Sequence, residues 1–74
     1  MDSIDRLTAE NNLLDAEIYR GDCVADRERH LSTDPRDDQV QWWLDLLDHN
    51  KRVRAARQLL DRRRRELVAL KAAA

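Results

Sequence analysis

The side chains best suited to ligand or nucleophile chemistry are Cys23, His30 and His49. Cys23 and His30 lie seven residues apart, so a helix would place them on one face, two turns from each other. Two ligands fall short of the four that a structural zinc site takes. His49 lies on a different expected helix, with His30 near the turn and His49 well down the rod. Cys23 and His30 therefore read as a buried thiol and a surface imidazole, and no metal or cofactor is expected. No Gly-rich phosphate loop, Ser-nucleophile motif or Glu-x-x-His pair is present. Asp37-Asp38 reads as acidic charge at a helix N-terminus, where the macrodipole favours it. The chain is expected not to be an enzyme.

Arg62-Arg63-Arg64-Arg65 is the most conspicuous charge run. Four consecutive residues sweep about 300° around a helix, so they cannot form one flat basic face. Arg63 falls on the apolar seam and must snorkel or pair with an acid. Arg62, Arg64 and Arg65, with Lys51, Arg52, Arg54 and Arg57 upstream, could contact phosphates. The same arginines could instead pair with Asp2, Asp5 and Glu10 of the first helix. No aromatic residue lies near the run to stack on unpaired bases.

The elements behind these residues are helical. The chain has one Gly, one Pro and no Phe, and it is rich in Leu, Ala, Arg and Asp. Residues 1–38 hold eleven acids against five arginines, and residues 39–74 hold nine bases against four acids. That asymmetry suits either a nucleic-acid face or two halves lying against each other. Cys23 is the only cysteine, so no internal disulfide can form. With no signal-like segment and no long apolar run, a cytoplasmic setting and no membrane span are expected.

A first helix is expected over about 3–31. Ile4, Leu7, Asn11, Leu14 and Ile18 follow a 3-4-3-4 spacing, the pattern of a heptad seam, and Leu13 widens it. Gly21 interrupts the helix and marks a kink or a close bulky neighbour, with a Trp of the second helix as the candidate. Ser32-Thr33-Asp34 is expected to turn, because the residue before Pro is pushed out of the helical region. A second helix is expected over about 35–70, with Asp34 as cap and Pro35 at the first position. It would be roughly 50 Å long, too long to stand alone. Leu46, Val53, Leu60 and Leu67 recur every seven residues, interleaved with Trp42, His49, Ala56, Arg63 and Leu70.

The expected fold is all-α: an antiparallel two-helix hairpin. Folding about Thr33 would set Leu7 by Leu60, Leu14 by Val53 and Ile18 by His49. Val40, Trp43, Leu44 and Leu47 lie on a second side of the helix that one partner cannot cover. Two hairpins would bury that side by forming a four-helix bundle or coiled-coil assembly. Leu7, Leu14, Ile18, Trp42, Leu46, Val53, Leu60 and Leu67 are the expected core or dimer residues. Trp43, Leu47, Tyr19 and Arg20 are the expected partner contacts, since Trp, Tyr and Arg dominate interface energetics.

This layout resembles two known groups. The hairpin, the Leu46-Val53-Leu60-Leu67 seam and the basic helix are similar to the small plasmid-encoded RNA-binding hairpin that dimerises into a four-helix bundle. That family's aromatic contacts have no counterpart here. The short chain, the Pro35-started helix and Trp42-Trp43 resemble small phage helical proteins that block host regulators, of the quorum-sensing anti-activator type. The second resemblance implies a dimer whose exposed aromatic and Arg side chains occupy a host protein's surface. The expected function is therefore a homodimer that binds and modulates or inhibits another protein. The alternatives are a bundle that binds RNA or DNA, and a structural assembly piece.

Overall fold

The computed structural model describes residues 3–73. It is all-helical: α1 spans Ser3–Leu31 and α2 spans Gln39–Ala73. The helices lie antiparallel as a hairpin with Cα extents of 57 × 14 × 11 Å. Near the turn, Arg27 Nε donates to Asn50 Oδ1 at 2.6 Å. At the open end, Asp5 and Ala9 share a groove with Glu66 and Leu70. No helix among the described residues is long and apolar enough to cross a membrane.

The second helix starts four residues later than Asp34-Pro35 suggests. Asp38 is its cap: Asp38 Oδ1 accepts the Gln41 backbone N–H at 3.0 Å, and the Asp38 carbonyl accepts that of Trp42 at 3.0 Å. The sequence offers two start signals, and Asp38-Gln39-Val40-Gln41 has the acid-x-x-Gln spacing of a capping box. Pro35 and the ion-paired Asp34 and Arg36 are left in the connection. The end of α1 is closed by Ser32 and Thr33, whose hydroxyls donate to the carbonyls of Arg29 and His30. The longer connection resets which residues lie level with each other. His49 meets His30, not Ile18.

On α2, Leu46, Ala56, Leu60 and Leu67 are buried, and Trp42, His49, Val53, Arg63 and Leu70 are half-buried. This face follows the two interleaved seven-residue series. On α1 the buried residues are Ala9, Ala16 and Cys23, themselves seven apart. Leu7, Leu14 and Ile18 point away, so the expected Leu7–Leu60, Leu14–Val53 and Ile18–His49 contacts do not form. Two residues along a helix turn it by about 200°, which puts Leu7 and Ala9 on opposite sides. The physical reason is complementary size. α2 brings large side chains to the contact, and small residues on α1 let the backbones close around them. Burying each of Leu46, Leu60 and Leu67 stabilises the hairpin by about 1.5–3 kcal/mol.

The opposite charges of the two halves pair largely within their own halves. Each ion pair seen among the described residues lies within one helix or the connection, as in Arg6–Glu10, Arg52–Asp48 and Arg63–Glu66. Asp2, one of the expected partners of the arginine run, lies outside the described residues.

Gly21 has no bulky neighbour, contrary to the sequence expectation. A Cβ built there meets nothing within 4 Å, and the backbone is ordinary α-helix. Gly21→Ala should therefore stabilise the protein by about 1 kcal/mol, chiefly by restricting the unfolded chain. Chemical denaturation checks this: the midpoint should rise with an unchanged slope.

Candidate functional site

The turn end of the hairpin holds a connected polar and aromatic cluster. Capping at Asp38 puts Trp42 in the first turn of α2, opposite the last turn of α1. The Trp42 indole N–H donates to Thr33 Oγ1 at 2.8 Å. His30 Nε2 lies 2.8 Å from the Trp42 carbonyl oxygen. A carbonyl only accepts, so Nε2 carries the hydrogen. The His30 and Trp42 rings also stack, with centroids 4.8 Å apart and planes at 27°. Thr33, Trp42 and His30 thus close a ring of contacts that fixes Trp42.

Trp43 meets the edge of this cluster, T-shaped against Trp42 at 5.0 Å. Its other side is open. Val40, Trp43, Leu44 and Leu47 are 71%, 57%, 52% and 55% exposed. Spaced three and four apart, they form one apolar face over the first turns of α2. An aromatic anchor braced from behind and bare in front fits a binding hot spot.

The other expected contact residues lie elsewhere. Tyr19 is exposed but sits beside Leu59 and Arg63 in a shallow groove. That is roughly 18 Å along α2 from Leu47 at about 1.5 Å per residue. An interaction with the Cys23 side chain one turn away holds the Tyr19 phenol above its usual value of 10.0, and Arg52 opposes the shift. Arg20 is half-buried, and its Nε is buried with no hydrogen-bond partner. The structure does not gather Tyr19 and Arg20 with Trp43 and Leu47.

His30 and His49 are closer than expected, with ring centroids 5.2 Å apart. The late start of α2 brings them together. Cys23 is buried in the interhelical contact. Among the described residues, no three His, Cys, Asp or Glu side chains cluster to hold a metal ion.

The arginine run divides. Arg63 is half-buried and pairs with Glu66 at 2.9 Å, as a seam arginine must. Arg64 lies 3.9 Å from Asp61. Arg62 and Arg65 are three apart and share the exposed side of α2 with Lys51 and Arg54.

The feature least visible beforehand is on α1. Ile4, Leu7, Leu14 and Ile18 are 69%, 62%, 52% and 55% exposed, a bare apolar stripe on the side away from α2. The signal that could have revealed it is the Ala9, Ala16, Cys23 series, a second repeat of seven on the same helix. Comparison with known proteins finds no matching family model, no matching curated protein and no matching solved structure.

Proposed function

We propose that this chain is a dimeric helical protein that binds another protein and modulates or inhibits it. Small phage antagonists of host regulators are the type of protein it resembles. The observation that supports the reading is the exposed face of Val40, Trp43, Leu44 and Leu47, with Trp43 braced by the pinned Trp42. Such a face contributes most of its binding through one or two buried anchors. The mode of action is occupation: the hairpin covers a surface of the partner and performs no chemistry on it. Its setting is the cytoplasm.

A nucleic-acid reading rests on a separate observation. Lys51, Arg54, Arg62 and Arg65 are exposed on α2 and make no ion pair among the described residues. Contact through these groups would be salt-sensitive and blind to sequence.

Affinity capture from the source cell after nuclease treatment separates the two. Wild type should retain a protein partner. Trp43→Ala should weaken that binding by at least about 2 kcal/mol, roughly thirtyfold, with helicity unchanged. The triple change Arg62→Gln, Arg64→Gln and Arg65→Gln should leave it in place. Loss with the arginine triple but not with Trp43→Ala, and recovery of RNA or DNA when nuclease is omitted, would install the nucleic-acid reading instead.

A further inference from the structure

We infer that the outer stripe of α1 is the dimer interface, and that a second copy of this chain covers it in antiparallel orientation. This rests on the dimeric part of the reading above. It assigns the dimer contact to α1 and leaves the Trp43 face of α2 free for the partner.

Ile4, Leu7, Leu14 and Ile18 stand bare on the side of α1 opposite Ala9, Ala16 and Cys23, with exposed Asn11 at the middle. In order they read Ile, Leu, Asn, Leu, Ile. That order is the same in both directions. A twofold axis near Asn11 therefore sets the Ile4 end against the Ile18 end of the second copy, and Leu7 toward its Leu14. Apolar meets apolar along the whole stripe, and the two Asn11 amides meet at the centre. A twofold contact needs a surface complementary to itself, which this stripe is. A single polar residue in an apolar seam fixes its alignment.

Charge selects the direction. Glu10, Asp15, Glu17 and Asp22 flank the stripe. In a parallel pair, Glu10 would face Asp15 of the second copy and Glu17 would face its Asp22, acid against acid on both edges. The antiparallel pair brings Glu17 within one residue of level with Arg6 of the second copy and Asp15 likewise with its Thr8, and leaves one acid facing its like, Glu10 across the axis from Glu10 of the second copy. Arg6 already holds Glu10 at 3.2 Å within its own helix. Glu17, Asp15 and Asp22 have no ion-pair partner among the described residues.

The far side of α2 suits the stripe less well. Its apolar face ends at Leu47, after roughly 10 Å, and Lys51 and Arg54 follow. The α1 stripe is about 21 Å long. Docking α1 on α2 of another copy would also leave both ends open, building chains instead of a closed pair.

Sedimentation equilibrium of the full chain, with helicity followed by circular dichroism, tests this. Wild type should run at twice the chain mass. Leu14→Asp should run as a helical monomer, or unfold with a concentration-independent melt. Glu17→Arg should weaken the dimer about tenfold, because it places like charges together at both ends of one edge. Combining Arg6→Glu with Glu17→Arg should restore it, and Trp43→Ala should not change it. A stronger dimer with Glu17→Arg means parallel pairing and overturns the orientation. Dissociation by Trp43→Ala but not by Leu14→Asp moves the dimer to α2 and overturns the inference while keeping a dimer. Masses that climb without limit mean open chains and also overturn it. A wild-type monomer overturns both the inference and the dimeric reading.

Discussion

Leu60→Ala should lower stability by about 2–5 kcal/mol, whereas Leu7→Ala should cost far less at concentrations where the chain is monomeric. Leu60 is 3% exposed, at the middle of the contact between the helices. Removing its branched end leaves a cavity that two stiff helices cannot collapse to fill. Leu7 is 62% exposed and loses little on truncation. The sequence pattern alone would pair Leu7 with Leu60 and assign them similar costs. Denaturation of both variants over a hundredfold range of protein concentration distinguishes the two arrangements. The Leu60→Ala penalty should not depend on concentration. The Leu7→Ala penalty should grow with it, since Leu7 contributes only when a second copy covers it.

Trp42→Ala should be nearly as severe, at about 3 kcal/mol, a large part of the stability of a domain this small. Three contacts disappear together: the indole hydrogen bond to Thr33, the stack on His30 and the backing of Trp43. Trp42→Phe keeps a ring against His30 but drops the N–H. It should cost about 1 kcal/mol more than the change in buried area accounts for, because Thr33 Oγ1 loses its donor. Thermal melts of both variants, with Trp43→Ala as the reference for an exposed indole, give the comparison. If Trp42→Ala melted with wild type, the turn-end cluster would have no part in holding the hairpin closed.

The hairpin and the working face of α2 were legible in the sequence. Leu46, Leu60 and Leu67 are large and regularly spaced, so periodicity and size point to the same side of the helix. On α1 the two signals point apart. Ile4, Leu7, Leu14 and Ile18 hold the size, but the intramolecular contact uses Ala9, Ala16 and Cys23. Hydrophobic periodicity ranks residues by how much area they can bury. It does not register that a helix facing large side chains packs best through small ones. The start of α2 was ambiguous for another reason. Asp34-Pro35 and Asp38-Gln39-Val40-Gln41 are both sound caps, and the choice depends on where Trp42 meets His30, a contact between distant residues. The neighbouring histidines followed from that choice, so they could not be read from spacing.

Cys23 is the only thiol in the chain, and it lies in the contact between the helices at 6% exposure. A reagent in solution reaches it only in the fraction of time the helices stand apart. Its alkylation therefore keeps time for the hairpin: the slower the sulfur is consumed, the rarer the opening. A ligand held only by the closed form would slow that clock wherever it binds, even at a surface far from the sulfur.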